Sequence, residues 1–251
     1  MIKFFRHIRK SLLMENKTTK YFKYAIGEIV LVVIGILIAL QINNWNQNRV
    51  SKLNEIKTLN QLNVDLKSNL IEIIELDSLM KIRSNAGKKI LNHFKNNENV
   101  TDSLRYFFER FNGRNIFNNA NTTYKNIENS KSNIISNDSL RMQITYIYET
   151  VFANIHHREQ TLAEDHFKFY KMELFKNFKA GSVKLKVIDG QTLSINTPKD
   201  YKSLRKNEEY KTALIYAINF RLMRQFWLSK SLSILKALIK DVEKEIKTLQ
   251  E

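Results

Sequence analysis

The residues best suited to chemistry lie in one stretch, "HHREQTLAEDH", from His156 to His166. Imidazole and carboxylate groups are the usual ligands of zinc and iron. On a helix, His156, Glu159 and His166 fall at i, i+3 and i+10 on one side. A single ion is opposed by the axial distance, because i to i+10 spans about 15 Å, and by the lack of the Glu-x-x-His pair of di-iron bundles. Solvated histidines with no catalytic role, no bound metal and no cofactor are the expectation. No GxSxG, Walker, HExxH or GxGxxG pattern occurs in the chain, so nothing gives a reason to expect an enzyme.

The elements that would carry these residues are helical. One proline and six glycines in 251 residues leave few breakers, the dominant apolar spacing is three to four, and 43% hydrophobic residues are enough for a core. Cysteine is absent, which removes disulfides, thiolate metal sites and thiol nucleophiles. The net charge of +16 invites a nucleic-acid reading. Lys, Asn and Ile are abundant together, however, a bias that an AT-rich genome produces by itself, and this is the preferred source of the charge.

"GEIVLVVIGILIAL", Gly27 to Leu40, is the most apolar stretch. From Tyr24 to Ile42 there are 19 residues with Glu28 as the only charge, which as a helix nearly crosses a hydrocarbon core about 30 Å thick. Tyr21, Tyr24 and Trp45 frame it as interface anchors. A cleaved signal peptide is disfavoured by the long leader, the long apolar run and the lack of small residues in cleavage spacing in "IALQINNWN". An uncleaved signal anchor is expected. Lys3, Arg6, Arg9, Lys10, Lys17, Lys20 and Lys23 precede the span, against Arg49 and Lys52 just after it. The positive-inside rule then puts the N-terminus in the cytoplasm and the rest in the periplasm of a two-membrane bacterium. The leader "MIKFFRHIRKSLL" reads equally as an interfacial helix or as a basic flank that only sets topology.

Glu28 has two readings. It lies about one turn inside the span, where a carboxylate can snorkel to the headgroups or to Lys20 and Lys23. Alternatively, with Gly35 at i+7 and Ala39 at i+11 within about 20° of it, it marks the rim of a small-residue face that contacts another helix.

"YAIGEIVLVVIGILIALQINNWN", preceded by "MIKFFRHIRK" and "LLMENKTTKY", closely resembles the N-terminus of a domain-of-unknown-function family of single-pass membrane proteins from flavobacteria and related Bacteroidetes. "NTTYKNIENSKSNIISNDSLRMQITYIYE", Asn121 to Glu149, resembles that family's internal segment. The family pattern has an acidic residue after Asn-Trp-Asn, where this chain has Gln47. The resemblance implies location and architecture, and no activity.

Past the membrane, Leu59, Leu62, Leu66, Ile73, Leu76 and Met80 keep alternating steps of three and four, with Asn69 in the missing place. Asn69 either sets register or marks where this seam faces water; the second is expected. Near the C-terminus, Leu228, Leu232, Leu235, Ile239, Val242, Ile246 and Leu249 are spaced 4, 3, 4, 3, 4, 3. A third helix is predicted from about Asp138 to Phe178, carrying Leu140, Ile144, Ile147, Val151, Ile155, Leu162, Tyr170 and Leu174. Shorter helices are predicted at "VTDSLRYFFERF", capped by Thr101 or Asp102, and at "TTYKNIEN". The aromatics of "YFFERF" and "FWLSK" are expected in the core. "SVKLKVIDGQTLSIN" alternates as a hairpin, with a three-residue loop pairing Val187 with Leu193 and Leu185 with Ile195.

The expected fold is all-α: a basic cytoplasmic segment at 1–23, a transmembrane signal-anchor helix at 24–43, and an up-and-down helical bundle at 44–251 with a small hairpin at about 183–196. After the membrane there are 34 Lys and Arg against 23 Asp and Glu, a net of +11, which in the periplasm meets headgroups, polysaccharide or acidic proteins and no chromosomal nucleic acid. The leading expectation is a membrane-anchored interaction, sensory or scaffold module. Its partners are the lipid bilayer, an unidentified protein and a second copy, met through the membrane helix and the heptad helices. The alternative is a membrane-tethered enzyme or metal-binding bundle using His156, Glu159 and His166.

Overall fold

The seam of the first long helix runs further than its apolar residues announce. The computed structural model describes residues 18–113, 115–130, 133–184 and 191–251, with the side chains of 18–21, 24, 162–167, 180–184 and 191–195 not described. In it α1 spans Thr18–Lys95. Steps of three and four continue past Met80 to Arg83, Gly87, Ile90 and Phe94, all of them buried. Asn97, at φ 56°, turns the chain just beyond the helix. α1 passes through two compact units, Met1–Ile56 and Lys57–Glu251.

The first unit contains the part of α1 that is long and apolar enough to cross a membrane, and none of that stretch is buried. Its aliphatic side chains stand about half exposed, Ile29, Leu31, Leu37 and Leu40 each more than half. The leader lies outside the described residues.

The second unit is a helical bundle. Thr101 caps α2 (Asp102–Asn112) by accepting a hydrogen bond from the Leu104 backbone N–H at 3.1 Å, and α3 is Thr122–Glu128. The predicted third helix is composite: α4 (Asp138–Thr145), a π-helical stretch at Tyr146–Phe152, α5 (Ala153–His166), a second π stretch at Phe167–Lys171 and α6 (Met172–Asn177). Two short strands follow, then α7 (Tyr201–Leu204) and α8 (Glu208–Gln250). α8 is capped by Asn207, which accepts from the Tyr210 N–H at 3.0 Å.

The apolar stripes close on one another inside the chain, since a helix stripe left in water forgoes about 1.5–3 kcal/mol per large side chain. One core joins Leu59, Leu62, Leu66, Ile73 and Met80 to Leu140, Ile144, Ile147 and Phe152 and to Leu228, Leu235 and Val242. A second, more aromatic core joins Ile90 and Phe94 to Phe108 and Phe111, to Tyr170 and Phe178, and to Tyr210 and Leu214. Phe108 meets Phe178 edge-on at 4.8 Å, and Phe111 meets Tyr170 at 5.2 Å. Gly87 permits this close approach, because a Cβ there would stand 2.6 Å from side-chain atoms of Ile218 and Phe111.

Three expectations need correction. Asn69 does not face water: it is 1% exposed. In "FWLSK" only Leu228 is core, while Phe226 is 61% exposed and Trp227 is partly exposed. The hairpin exists, but β1 (Phe178–Lys184) starts directly after α6, and Ser182 stands opposite Leu193 and Ala180 opposite Ile195, with an irregularity between Lys179 and Ala180. Burial of Phe178 in the aromatic core ties the base of β1 to the bundle. The expected turn at Asp189-Gly190, with Leu185 and Val187, lies outside the described residues.

Candidate functional site

Of the residues considered as metal ligands, two are spent on holding a loop. His156 Nε2 lies 2.9 Å from Asn119 Oδ1, and its ring stacks on Phe117 at 5.5 Å. The Glu159 carboxylate accepts from the Phe117 backbone N–H at 3.0 and 3.3 Å and pairs with Arg224. The side chain of His166 lies outside the described groups. Among the described residues, no group of three or more His, Asp or Glu is arranged to hold a metal.

The loop between α2 and α3 explains these contacts. A segment packed against a bundle without its own ladder must find partners for each backbone N–H and C=O, and here helix side chains provide them. Asn69 mimics a backbone pair, donating from Nδ2 to Ala120 O at 2.9 Å and accepting from Ala120 N at 2.6 Å. Glu72 accepts from Asn118 N at 2.7 Å, and Asp65 from Thr123 N at 3.1 Å. The Tyr148 hydroxyl donates to Ala120 O at 3.3 Å. Arg224 donates to Asn115 O at 2.8 Å, and Arg83 to Asn115 Oδ1 at 2.5 Å.

Arg83, Arg221 and Arg224 form a cationic layer on the seams, at the places between the residues of the two cores. Arg221 donates to Ala217 O at 2.8 Å and to Phe111 O at 2.7 Å, and its guanidinium sits 3.9 Å from the Phe111 ring centroid. Burial pushes Arg221 down to about 10. Burial, followed by the neighbouring Arg224 and Arg110, pushes Arg83 down to about 10 as well. Carbonyl dipoles and one carboxylate, Glu159, offset this charge. The layer orders a loop and presents no reactive group.

The residues of the long apolar stretch of α1 are placed differently. Gly35 and Ala39 are exposed, and a Cβ added at Gly35 would meet nothing within 4 Å. Glu28 is partly covered. Trp45 is 65% exposed, with the Arg49 guanidinium 6.0 Å from its ring. The side chains of Tyr21 and Tyr24 lie outside the described groups. The face Glu28, Gly35, Ala39 is therefore open along its small residues, as a helix contact requires.

Sequence reading missed the arginine layer, although a signal was present. Arg83 and Arg221 occupy seam places, the first after Met80 and the second between Leu214 and Leu228. A charge in phase with an apolar seam marks a buried polar link. The model of a family described as a family of unknown function, DUF6090, matches residues 28–189, well over half of the chain. No curated protein and no solved structure matches.

Proposed function

We propose that this chain, which belongs to the DUF6090 family, is a non-enzymatic single-pass protein of the inner membrane. Its N-terminus is cytoplasmic and its helical bundle is held in the periplasm as an interaction, sensory or scaffold module. One observation carries the reading: the stretch of α1 long and apolar enough to cross a membrane has none of its residues buried in the protein. A core helix of similar composition would be mostly buried, and an exposed one needs lipid as its cover. The orientation rests on the seven basic residues between Lys3 and Lys23. The open face of Gly35 and Ala39, rimmed by Glu28, supports a second function for the same helix, contact with another membrane helix such as that of a second copy.

Alkaline phosphatase fused after Glu251 tests the topology, since it is active only outside the cytoplasm. Activity is expected, and a fusion active only with a cytoplasmic reporter reverses the orientation. In-membrane crosslinking tests the helix contact. Gly35→Ile with Ala39→Leu is expected to lower self-association or partner crosslinking, and unchanged crosslinking removes the contact from the account.

A further inference from the structure

The charged residues that hold the loop, Glu159 and Arg224, have neighbours in sequence that do something else. Arg158 adjoins Glu159, and Trp227 lies three residues after Arg224. Yet Arg158 and Trp227 face a cleft of about 100 Å³ between the composite helix and α8. The Arg158 guanidinium stands 4.0 Å from the Trp227 ring centroid, and Lys230 Nζ stands 5.6 Å from it. Tyr146, Thr150 and Asn154 complete the polar wall. No carboxylate lines the cleft among the described residues. Glu149, on the same helix, is engaged by the Tyr124 hydroxyl instead, and Glu159 by Arg224.

The π-helical stretch builds this wall. Tyr146, Thr150, Asn154 and Arg158 follow one another at four-residue steps. In an α-helix each such step overshoots a turn by about 40°, whereas in the wider π turn it falls short. With π geometry at Tyr146–Phe152 and α geometry from Ala153, the two drifts oppose and all four residues reach one cleft. Directly next to it, sharing Tyr146, an apolar groove of about 440 Å³ runs between the same two helices, lined by Met142, Ile234, Ala237 and Leu238. Met142 is 66% exposed there, uncovered by its own chain.

We propose that this pair of adjoining cavities binds one single-chain amphiphile with an anionic head. The head, a carboxylate or phosphate group, sits between Arg158 and Lys230 beside the Trp227 ring, and the alkyl chain lies along Met142, Ile234 and Leu238. Charge complementarity chooses the head, because two cations, hydroxyls and an indole face an oxyanion with no competing acid. The continuity of the apolar groove chooses the tail. The proposal is argued from the bundle's residues, while its test rests on the membrane reading: failure to reconstitute contradicts that reading, and failed quenching in a reconstituted chain contradicts the amphiphile site.

The test uses the full chain in nanodiscs of neutral lipid, with Trp45→Phe leaving Trp227 as the sole indole. 2-Bromododecanoate, which carries its bromine beside the head group, should quench Trp227 saturably, and its methyl ester should not. Arg158→Gln with Lys230→Gln should weaken binding about tenfold or more without changing the thermal melt. Displacement by laurate assigns a carboxylate head, and displacement by lysophosphatidylglycerol assigns a phosphate head. Absent quenching, equal quenching by the ester, quenching unchanged in the double variant, or displacement by neither competitor overturns the proposal.

Discussion

Two stretches of α1 carry the same kinds of large aliphatic side chain and meet opposite fates. Between Ile29 and Leu40 the Ile, Leu and Val side chains stand about half exposed, whereas Leu59, Leu62, Leu66 and Ile73 are 0% exposed. The difference lies in spacing. The second stretch keeps its large apolar residues to one line and leaves Lys, Glu and Asn for the other faces, so a single stripe meets the stripes of the composite helix and α8. The first is apolar all round, which no bundle of one-sided stripes can cover, and which suits a solvent that is apolar on every side. Side chains of one kind are therefore buried where they line a single stripe and left exposed where they cover the helix on every side.

That contrast can be broken most severely by one carboxylate in each stretch. Ile73→Asp places a charge in a packed core and is expected to cost more than about 4 kcal/mol, abolishing the cooperative melt by circular dichroism. Leu37→Asp should leave the melt of the bundle in place and cost about 3 kcal/mol of membrane insertion, read as a lower membrane-bound fraction. Glu159→Gln takes the carboxylate from the half-buried Arg224 and should cost about 3 kcal/mol in urea unfolding. Asn69→Ala leaves the N–H and C=O of Ala120 without their side-chain partner, and about 2 kcal/mol is expected by the same measurement.

Alkaline pH sharpens the contrast more gently. Burial holds the Tyr170 and Tyr210 hydroxyls well above the usual phenol range, and burial with Glu149 beside it pushes Tyr124 up to about 12. Phenols in the unfolded chain ionise near pH 10, so the unfolded state binds fewer protons above that pH and stability falls as pH rises. Each such tyrosine contributes a loss of at most about 1.4 kcal/mol per pH unit between its unfolded and folded values. Phenolate absorbance should therefore rise together with loss of helix signal. Phenolate formation with an intact helix signal would show that these rings are not held in the core.

Periodic features of the fold were legible in the sequence and long-range polar ones were not. The three seams, the Thr101 cap and the presence of a hairpin follow from spacing and local hydrogen bonding, both written within a few residues. Asn69 and Glu159 find their partners 51 and 42 residues away on a loop without periodicity, so no local pattern announces them. The hairpin register differs from the expected one, with Ser182 opposite Leu193 and Ala180 opposite Ile195, because apolar-polar alternation alone does not choose between loop lengths. The π turns leave the three-to-four spacing of apolar residues nearly intact and reveal themselves only where they gather Tyr146, Thr150, Asn154 and Arg158.

The most direct test of the central contrast is alkaline carbonate extraction of membranes from cells producing the native full-length chain. Retention in the pellet, with partial release of Leu37→Asp, is the predicted result. Recovery of the native chain in the soluble fraction would contradict lipid as the cover of the exposed apolar helix.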